Sequence, residues 1–258
     1  MERNSDRGLG DHPIVVILGL LSTFLAIFIF VTGFENLPQL LDRGQQESDP
    51  QQFSKEVAKP TATIRPLVQE FQTISLERWS ELEAVETNLG VAPGSHNFLG
   101  VPFETGWTTS TQCEDAPGRW QSIPITTKIS NPTHVYLLIQ AGYAYSKYDG
   151  KQVGTVKLNF DDGSSAETPL TLGFNIRDWA WENPAAVNTA SSDSLQAAVQ
   201  GVTSGGTPGG MDMLTIDIPD NLLNSTLTGI EISDVTTETI GDMDPCIHLV
   251  AITVEHLR

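Results

Sequence analysis

Aromatic side chains mixed with polar groups are the residues of this sequence that could most directly do chemistry. Two short stretches carry them, GYAYSKY over residues 142–148 and IRDWAWE over residues 176–182. A sugar ring can pack its C–H face on tryptophan or tyrosine while fixed polar groups hydrogen-bond to its hydroxyls. Together with an isolated tryptophan, the stretches predict a ligand-binding set of Trp107, Tyr143, Tyr145, Tyr148, Arg177, Asp178 and Trp181.

The same two stretches also admit a structural interpretation. Large aromatic residues anchor cores more often than they form ligand platforms, so Trp179 would cap the core of the domain. Arg177 and Asp178 would then hold a loop in place through a charge-assisted hydrogen bond. The sequence leaves both interpretations open.

Oxygen-bearing side chains form a second candidate site. Glu238, Asp242 and Asp244 lie within seven residues of one another. A calcium ion takes about six to eight carboxylate and carbonyl oxygens as ligands. The spacing is not that of an EF-hand, but it makes calcium the one cofactor that the sequence suggests.

The two cysteines, Cys113 and Cys246, are candidates for one disulfide. Both follow the apolar segment described below, and so would lie in a compartment where disulfides persist. Without a Cys-x-x-Cys spacing or four ligands, they do not predict a structural zinc site.

Motifs of known catalytic sites do not appear in the sequence. It has no Gly-x-Ser-x-Gly elbow, no His-Glu-x-x-His pair and no complete phosphate-binding loop. A glycosidase would need two carboxylates about 5–10 Å apart across a cleft, and sequence cannot show which acids face each other. We therefore expect a protein that is not an enzyme, with a glycoside hydrolase as the enzymatic alternative.

The charge of the chain is strongly acidic, with a formal net charge of -18 at pH 7. No lysine or arginine occurs between Asp178 and Glu255. Because binding to nucleic acid depends on a basic surface that displaces counterions, nucleic acid is excluded as a partner. The acidic surface is interpreted as solubilising, with cation binding as the alternative.

One uncharged apolar segment, residues 13–34, predicts a transmembrane helix. Its 22 residues of mostly Ile, Leu, Val and Phe match the thickness of the hydrocarbon core of a bilayer. A cleaved signal peptide is the alternative, but it usually has a shorter apolar region and an Ala-x-Ala-like cleavage site. Arg3 and Arg7 precede the segment, which favours a cytoplasmic tail at residues 1–12 and an extracytoplasmic remainder.

Beyond the anchor, residues 35–66 are polar and without periodicity, which predicts a linker. Residues 67–258 contain short apolar runs separated by turn signals. Val156, Leu158 and Phe160 alternate with polar residues before the turn Asp161-Asp162-Gly163, a pattern typical of a β-hairpin. The runs predict strands at residues 71–76, 98–104, 121–129, 134–142, 154–160, 213–219, 227–233 and 247–257.

These strands predict an all-β fold, an antiparallel jelly-roll sandwich. Two stretches do not fit the strand pattern. Residues 76–86 have a helix-like sequence, and the Gly-, Ser- and Ala-rich residues 188–210 read as a long loop. Loops of that length are usually functional or disordered.

The order of five motifs resembles that of a known family of modules. The motifs are ISL, HNFLGVPFE, HVYLLIQAGYA, the DGS hairpin with GFNIRDW at residues 173–179, and LVAITVE. This order resembles the galactose-binding-like jelly-roll modules of bacterial glycosidase-associated and surface proteins, over about residues 70–258. Such modules are in general binding units or spacers between other domains. Their ligand is often a carbohydrate, and some hold a structural calcium ion. The resemblance implies a glycan or cell-envelope component as ligand. A structural or protein-interaction subunit of an envelope complex is the alternative.

Overall fold

Antiparallel strands dominate the computed structural model, which describes residues 67–79, 91–112, 120–202, 206–234 and 245–258. All of these residues belong to one unit, Ile64–Arg258. Their strands are β1 (Gln69–Ile74), β2 (Gly94–Phe98), β3 (Val101–Thr105), β4 (Thr109–Ser110), β5 (Ser122–Ser130), β6 (Pro132–Gly142), β7 (Gln152–Phe160), β8 (Ser165–Thr171), β9 (Leu195–Val202), β10 (Pro208–Asp217), β11 (Thr226–Asp234) and β12 (Cys246–Leu257). Short 3-10 helices span Glu77–Trp79, Ser146–Tyr148 and Asp220–Leu222.

The strands pair into two larger sheets and one hairpin. The first sheet has the order β1-β12-β6-β10-β9, with β4 also paired to β12. The second sheet has the order β5-β11-β7-β8, and β2 pairs with β3. All of these strand pairs are antiparallel. The expectation of an all-β, antiparallel fold is therefore confirmed.

The main hydrophobic core lies between the two larger sheets and makes the domain a β-sandwich. Val156, Leu158 and Phe160 of β7 are buried in it, as the alternating pattern predicts. From the first sheet, Val135 and Leu137 of β6 enter the same core. Because side chains alternate between the faces of a strand, one face of each sheet supplies this core.

A smaller core lies on the outer face of the first sheet, the face turned away from the second sheet. There Val101 and Phe103 of β3 pack with Leu138 of β6 and Met213 of β10. Leu138 is as fully buried as Leu137, because both faces of β6 are covered at this point. This explains why β6 reads as a continuous apolar run rather than an alternating one.

Two predicted elements are corrected by the structure. The single strand expected at residues 98–104 is a hairpin, since Leu99 and Gly100 adopt positive φ angles of 54° and 88° between β2 and β3. The long loop expected at residues 188–210 contains β9 and the start of β10. Its strand pattern is weak because β9 is a sheet edge rich in small, half-exposed residues. Of the helix-like stretch at residues 76–86, Glu77–Trp79 form a 3-10 turn, and the positions from 80 onward lie outside the described residues.

The predicted anchor at residues 13–34, its tail at 1–12 and the linker at 35–66 lie outside the described residues. Within the described ranges, no helix is long and apolar enough to cross a membrane. The anchor therefore stays a prediction from sequence.

Candidate functional site

The two aromatic stretches are brought together in the structure. We use the name loop pair for residues 141–148, at and after the end of β6, and residues 177–188, between β8 and β9. Backbone hydrogen bonds between the two segments run from Ala141 N to Arg177 O at 2.9 Å, Trp179 N to Ala141 O at 3.1 Å, Ser146 N to Ala185 O at 2.8 Å and Val187 N to Ala144 O at 2.7 Å. These bonds fix the positions of the side chains that both stretches carry.

The carboxylate of Asp178 links the two segments further. Its Oδ2 accepts a hydrogen bond from the backbone N–H of Ala144 at 2.9 Å, and its Oδ1 accepts one from the N–H of Ala180 at 2.9 Å. Burial raises the pKa of Asp178 above its ordinary value, although both backbone hydrogen bonds act to lower it. The buried carboxylate thus serves as an internal tie of the loop pair.

Arg177 is held by a carboxylate that the sequence-based set did not include. Its Nε and one terminal nitrogen donate to the two oxygens of Asp212 on β10, at 2.8 and 2.7 Å. Its other terminal nitrogen donates to the carbonyl of Asn188 at 3.2 Å. Asp212 is buried, and this two-point geometry is the strong form of the arginine–carboxylate pair. The only hint in the sequence is one acidic residue inside the apolar run MDMLTI.

The indole ring of Trp181 is enclosed by two groups. The guanidinium carbon of Arg177 lies 3.9 Å from the ring centroid, which is a cation–π contact. On β10, a Cβ added to Gly210 would meet the ring at 2.1 Å. The ring nitrogen Nε1 is buried and has no hydrogen-bond partner among the described residues. Trp181 therefore rests on the backbone of β10 at a position where only glycine fits.

The three predicted tyrosines have different environments. Tyr148 is packed in the main core at 2 % exposure, so its ring presents no surface to a ligand. Tyr145 is half-buried against that core, with Lys147 Nζ 6.0 Å from its ring centroid. Tyr143 is also half-buried and has a φ angle of 55°, in the left-handed region. This conformation is strained for a bulky residue, and such strain concentrates at functional sites.

The last predicted aromatic residue, Trp107, lies outside the loop pair. It is in the connection between β3 and β4 and is half-buried against the main core.

Phe174 is an exposed aromatic residue that sequence reasoning missed. Its side chain is 52 % exposed. The carbonyl of Phe174 accepts hydrogen bonds from the N–H groups of Ser191 and Ser192 at 3.1 and 2.9 Å, which fix its turn. The turn lies three residues before Arg177 in the chain. The feature of the sequence that points to Phe174 is its position in the GFNIRDW motif, directly after a glycine.

The other candidate sites fall partly or wholly outside the described residues. This applies to the calcium candidates Glu238, Asp242 and Asp244 and to Cys113. Cys246 is fully buried at the start of β12 and is not a free thiol, while its pairing with Cys113 stays a prediction. Across the described ranges, no three His, Cys, Asp or Glu side chains are grouped so as to hold a metal ion.

Comparisons with known proteins do not name a family. No protein-family model matches the chain, and no curated protein matches it. The resemblance to galactose-binding-like modules therefore rests on the motifs quoted above.

Proposed function

We propose that the chain is a membrane-anchored, extracytoplasmic jelly-roll module that binds a glycan or another cell-envelope component through the loop pair. The observation that carries the proposal is the joining of two sequence-distant aromatic and polar stretches into one hydrogen-bonded unit. Residues 13–34 would tether the module, and residues 35–66 would space it from the bilayer.

The loop pair has the properties of a preorganised binding surface. Tyr143, Tyr145 and Trp181 each keep part of their surface exposed, while their backbone is tied by the hydrogen bonds of the loop pair. A surface that is ordered before binding loses little conformational entropy when the ligand arrives. The strained backbone of Tyr143 supports the same interpretation, since it is maintained at a cost of about 1–3 kcal/mol.

The buried acids of this region support binding rather than hydrolysis. The oxygens of Asp178 accept backbone N–H groups, and those of Asp212 accept the guanidinium of Arg177. These contacts use both carboxylates to order the loops. The hydrolase alternative would need two acids facing a common cleft.

A glycan array probed with the full chain in mild detergent tests the proposal. We expect Tyr145→Ala and Tyr143→Gly to weaken binding about tenfold or more, as expected when a central aromatic contact is lost. Tyr143→Gly also relieves the left-handed strain, so its loss of binding would not be accompanied by a comparable loss of stability. Trp120→Ala is the matched control, because Trp120 is an exposed aromatic residue outside the loop pair.

Two results would count against glycan binding by the loop pair. If no glycan on a broad array binds the intact chain, the glycan proposal fails. If a glycan binds but Tyr145→Ala and Trp120→Ala act equally, the loop pair is not the site. A salt-sensitive protein partner recovered from solubilised membranes would instead favour the alternative of an envelope-complex subunit.

A further inference from the structure

A row of four side chains crosses the outer face of the first sheet, next to the smaller core. The strand register places Phe71 of β1 beside Glu255 of β12, Glu255 beside His134 of β6, and His134 beside Asp217 of β10. We call these four residues the acidic row. Tyr136 occupies the next outward position of β6.

Glu255 is a buried anion at the centre of this row. Its side chain receives a hydrogen bond from the Tyr136 hydroxyl at 2.6 Å and one from the Thr133 hydroxyl at 3.0 Å. Burial acts to raise the pKa of Glu255, but the hydrogen bonds and the nearby His134 outweigh it and lower the pKa overall. The row therefore keeps a negative charge close beneath its surface.

The two carboxylates of the row have only histidine as an ion-pair partner within the described part of the chain. His134 Nδ1 lies 3.3 Å from Glu255 Oε2, and Nε2 lies 3.4 Å from Asp217 Oδ1. A histidine carries a positive charge only when it is protonated. Among the described residues, no lysine or arginine pairs with either acid of the row.

Aromatic rings lie beside these charges and remain accessible. The ring of Phe71 is 6.3 Å from that of Tyr136, and the ring of His134 is 5.8 Å from it. Phe71 is 38 % exposed and the Asp217 side chain 85 % exposed. Ring faces next to carboxylates attract ammonium and guanidinium groups through cation–π and ionic contacts together.

We propose that the acidic row is a docking surface for a basic protein segment, with one lysine or arginine side chain over Phe71 and Tyr136 and another against Asp217. The row spans four adjacent strands, which is about 14 Å at the usual strand spacing, so it fits a chain segment better than one small ion. Leu67, four residues before Phe71 and so on the same side of an extended segment, is exposed and extends the surface with an apolar contact. Mixed aromatic, apolar and charged surfaces of this kind are typical of protein interfaces.

This inference does not depend on glycan binding by the loop pair. Its test uses the full chain in mild detergent, a fluorescent octa-arginine peptide as the probe and an octa-glutamate peptide as the negative probe. We expect octa-arginine to bind and octa-glutamate not to bind. Asp217→Asn and Phe71→Leu should each weaken the binding of octa-arginine about fivefold or more.

Matched variants distinguish the row from the general acidity of the chain. Asp220→Asn removes the same charge from an exposed residue three positions after Asp217, in the 3-10 helix that follows β10, and should change the affinity less than twofold. Phe71→Leu changes no charge, so attraction to net charge alone predicts no effect. Equal effects of Asp217→Asn and Asp220→Asn, or no effect of Phe71→Leu, would overturn the proposal. Thermal unfolding of each variant verifies that the exposed substitutions leave the domain folded.

Discussion

Three buried carboxylates of this domain are compensated in three different ways. Asp178 accepts backbone N–H groups, Asp212 pairs with the guanidinium of Arg177, and Glu255 accepts the hydroxyls of Tyr136 and Thr133. A buried charge without such partners would cost several kcal/mol. Each carboxylate therefore ties together strands or loops that are distant in the sequence.

The ion pair between Arg177 and Asp212 predicts a large effect on stability. Asp212→Asn should lower the free energy of unfolding by about 2–4 kcal/mol, because it leaves a guanidinium without its counter-charge in a mostly buried position. Urea unfolding followed by tryptophan fluorescence measures this. Glu167→Gln is the matched control, since it breaks the exposed pair with Lys157 and should cost less than about 1 kcal/mol. Equal losses in both variants would contradict the structural role of Asp212.

Glu255 and Asp178 predict opposite dependences of stability on pH. The pKa of Glu255 is lowered by folding, so its contribution is present above the ordinary glutamate value of about 4.3 and is lost as pH falls through the folded-state pKa. The pKa of Asp178 is raised by folding, so its contribution is present below about 3.9 and is lost as pH rises through the folded-state pKa.

Unfolding curves between about pH 7 and pH 3 test these signs. The stability difference between wild type and Glu255→Gln should narrow as pH falls. As pH falls over the same range, the wild type should gain free energy of unfolding relative to Asp178→Asn. Parallel changes in the two differences would contradict the assigned directions of the pKa shifts.

The strand β10 is where the core and the loop pair meet. Its residues Leu214 and Ile216 enter the main core, while Asp212 binds Arg177 and Gly210 supports Trp181. The backbone N–H of Gly210 also donates to the carbonyl of Trp179 at 2.9 Å. β10 therefore contributes, together with the end of β6, to the placement of the loop pair.

Gly210→Ala is expected to displace Trp181. The added Cβ would lie 2.1 Å from the indole ring, so the ring must move and its contact with Arg177 is lost. We expect a loss of about 1–3 kcal/mol in the free energy of unfolding and a shifted tryptophan emission. In a protein that already carries Trp181→Ala, Gly210→Ala should lower the free energy of unfolding by clearly less than it does in the wild type. Gly229→Ala is the control, because the nearest atom to its new Cβ is 3.4 Å away. Unchanged emission in Gly210→Ala would contradict the close packing.

The described sandwich and the apolar segment at residues 13–34 belong to different parts of the chain. The sandwich buries its apolar residues in two cores. The apolar segment has the length and composition of a membrane span. Its proposed role is to hold the sandwich at a membrane.

Deletion of residues 1–34 tests this arrangement. We expect the full chain to remain with the membrane pellet after an alkaline wash, because a spanning helix is removed only by detergent. The deleted form should appear in the soluble fraction with the same β-type circular dichroism. Substitution of one apolar residue near the middle of the segment by Leu is a control that should leave the full chain in the pellet. Release of the full chain by the alkaline wash would contradict a transmembrane anchor.

The all-β class and most of the strands follow from local patterns of residues. Val156, Leu158 and Phe160 alternate along β7, and Asp161-Asp162-Gly163 contains a glycine with a φ angle of 83° at the predicted turn. These features are local, because side-chain period and turn conformation depend on neighbouring residues. The hairpin at Leu99 and the edge strand β9 escaped prediction, since their signals come from pairing rather than from periodicity.

The tertiary structure shows which of the candidate residues meet and which are enclosed. It joined the stretches around Tyr145 and Arg177, placed Tyr148 in the core, and supplied Asp212 from a strand 35 residues further along the chain. It also aligned Phe71 with Glu255 through the register of β1 and β12. Such contacts arise from the pairing and packing of distant segments, and so no spacing along the sequence contains them.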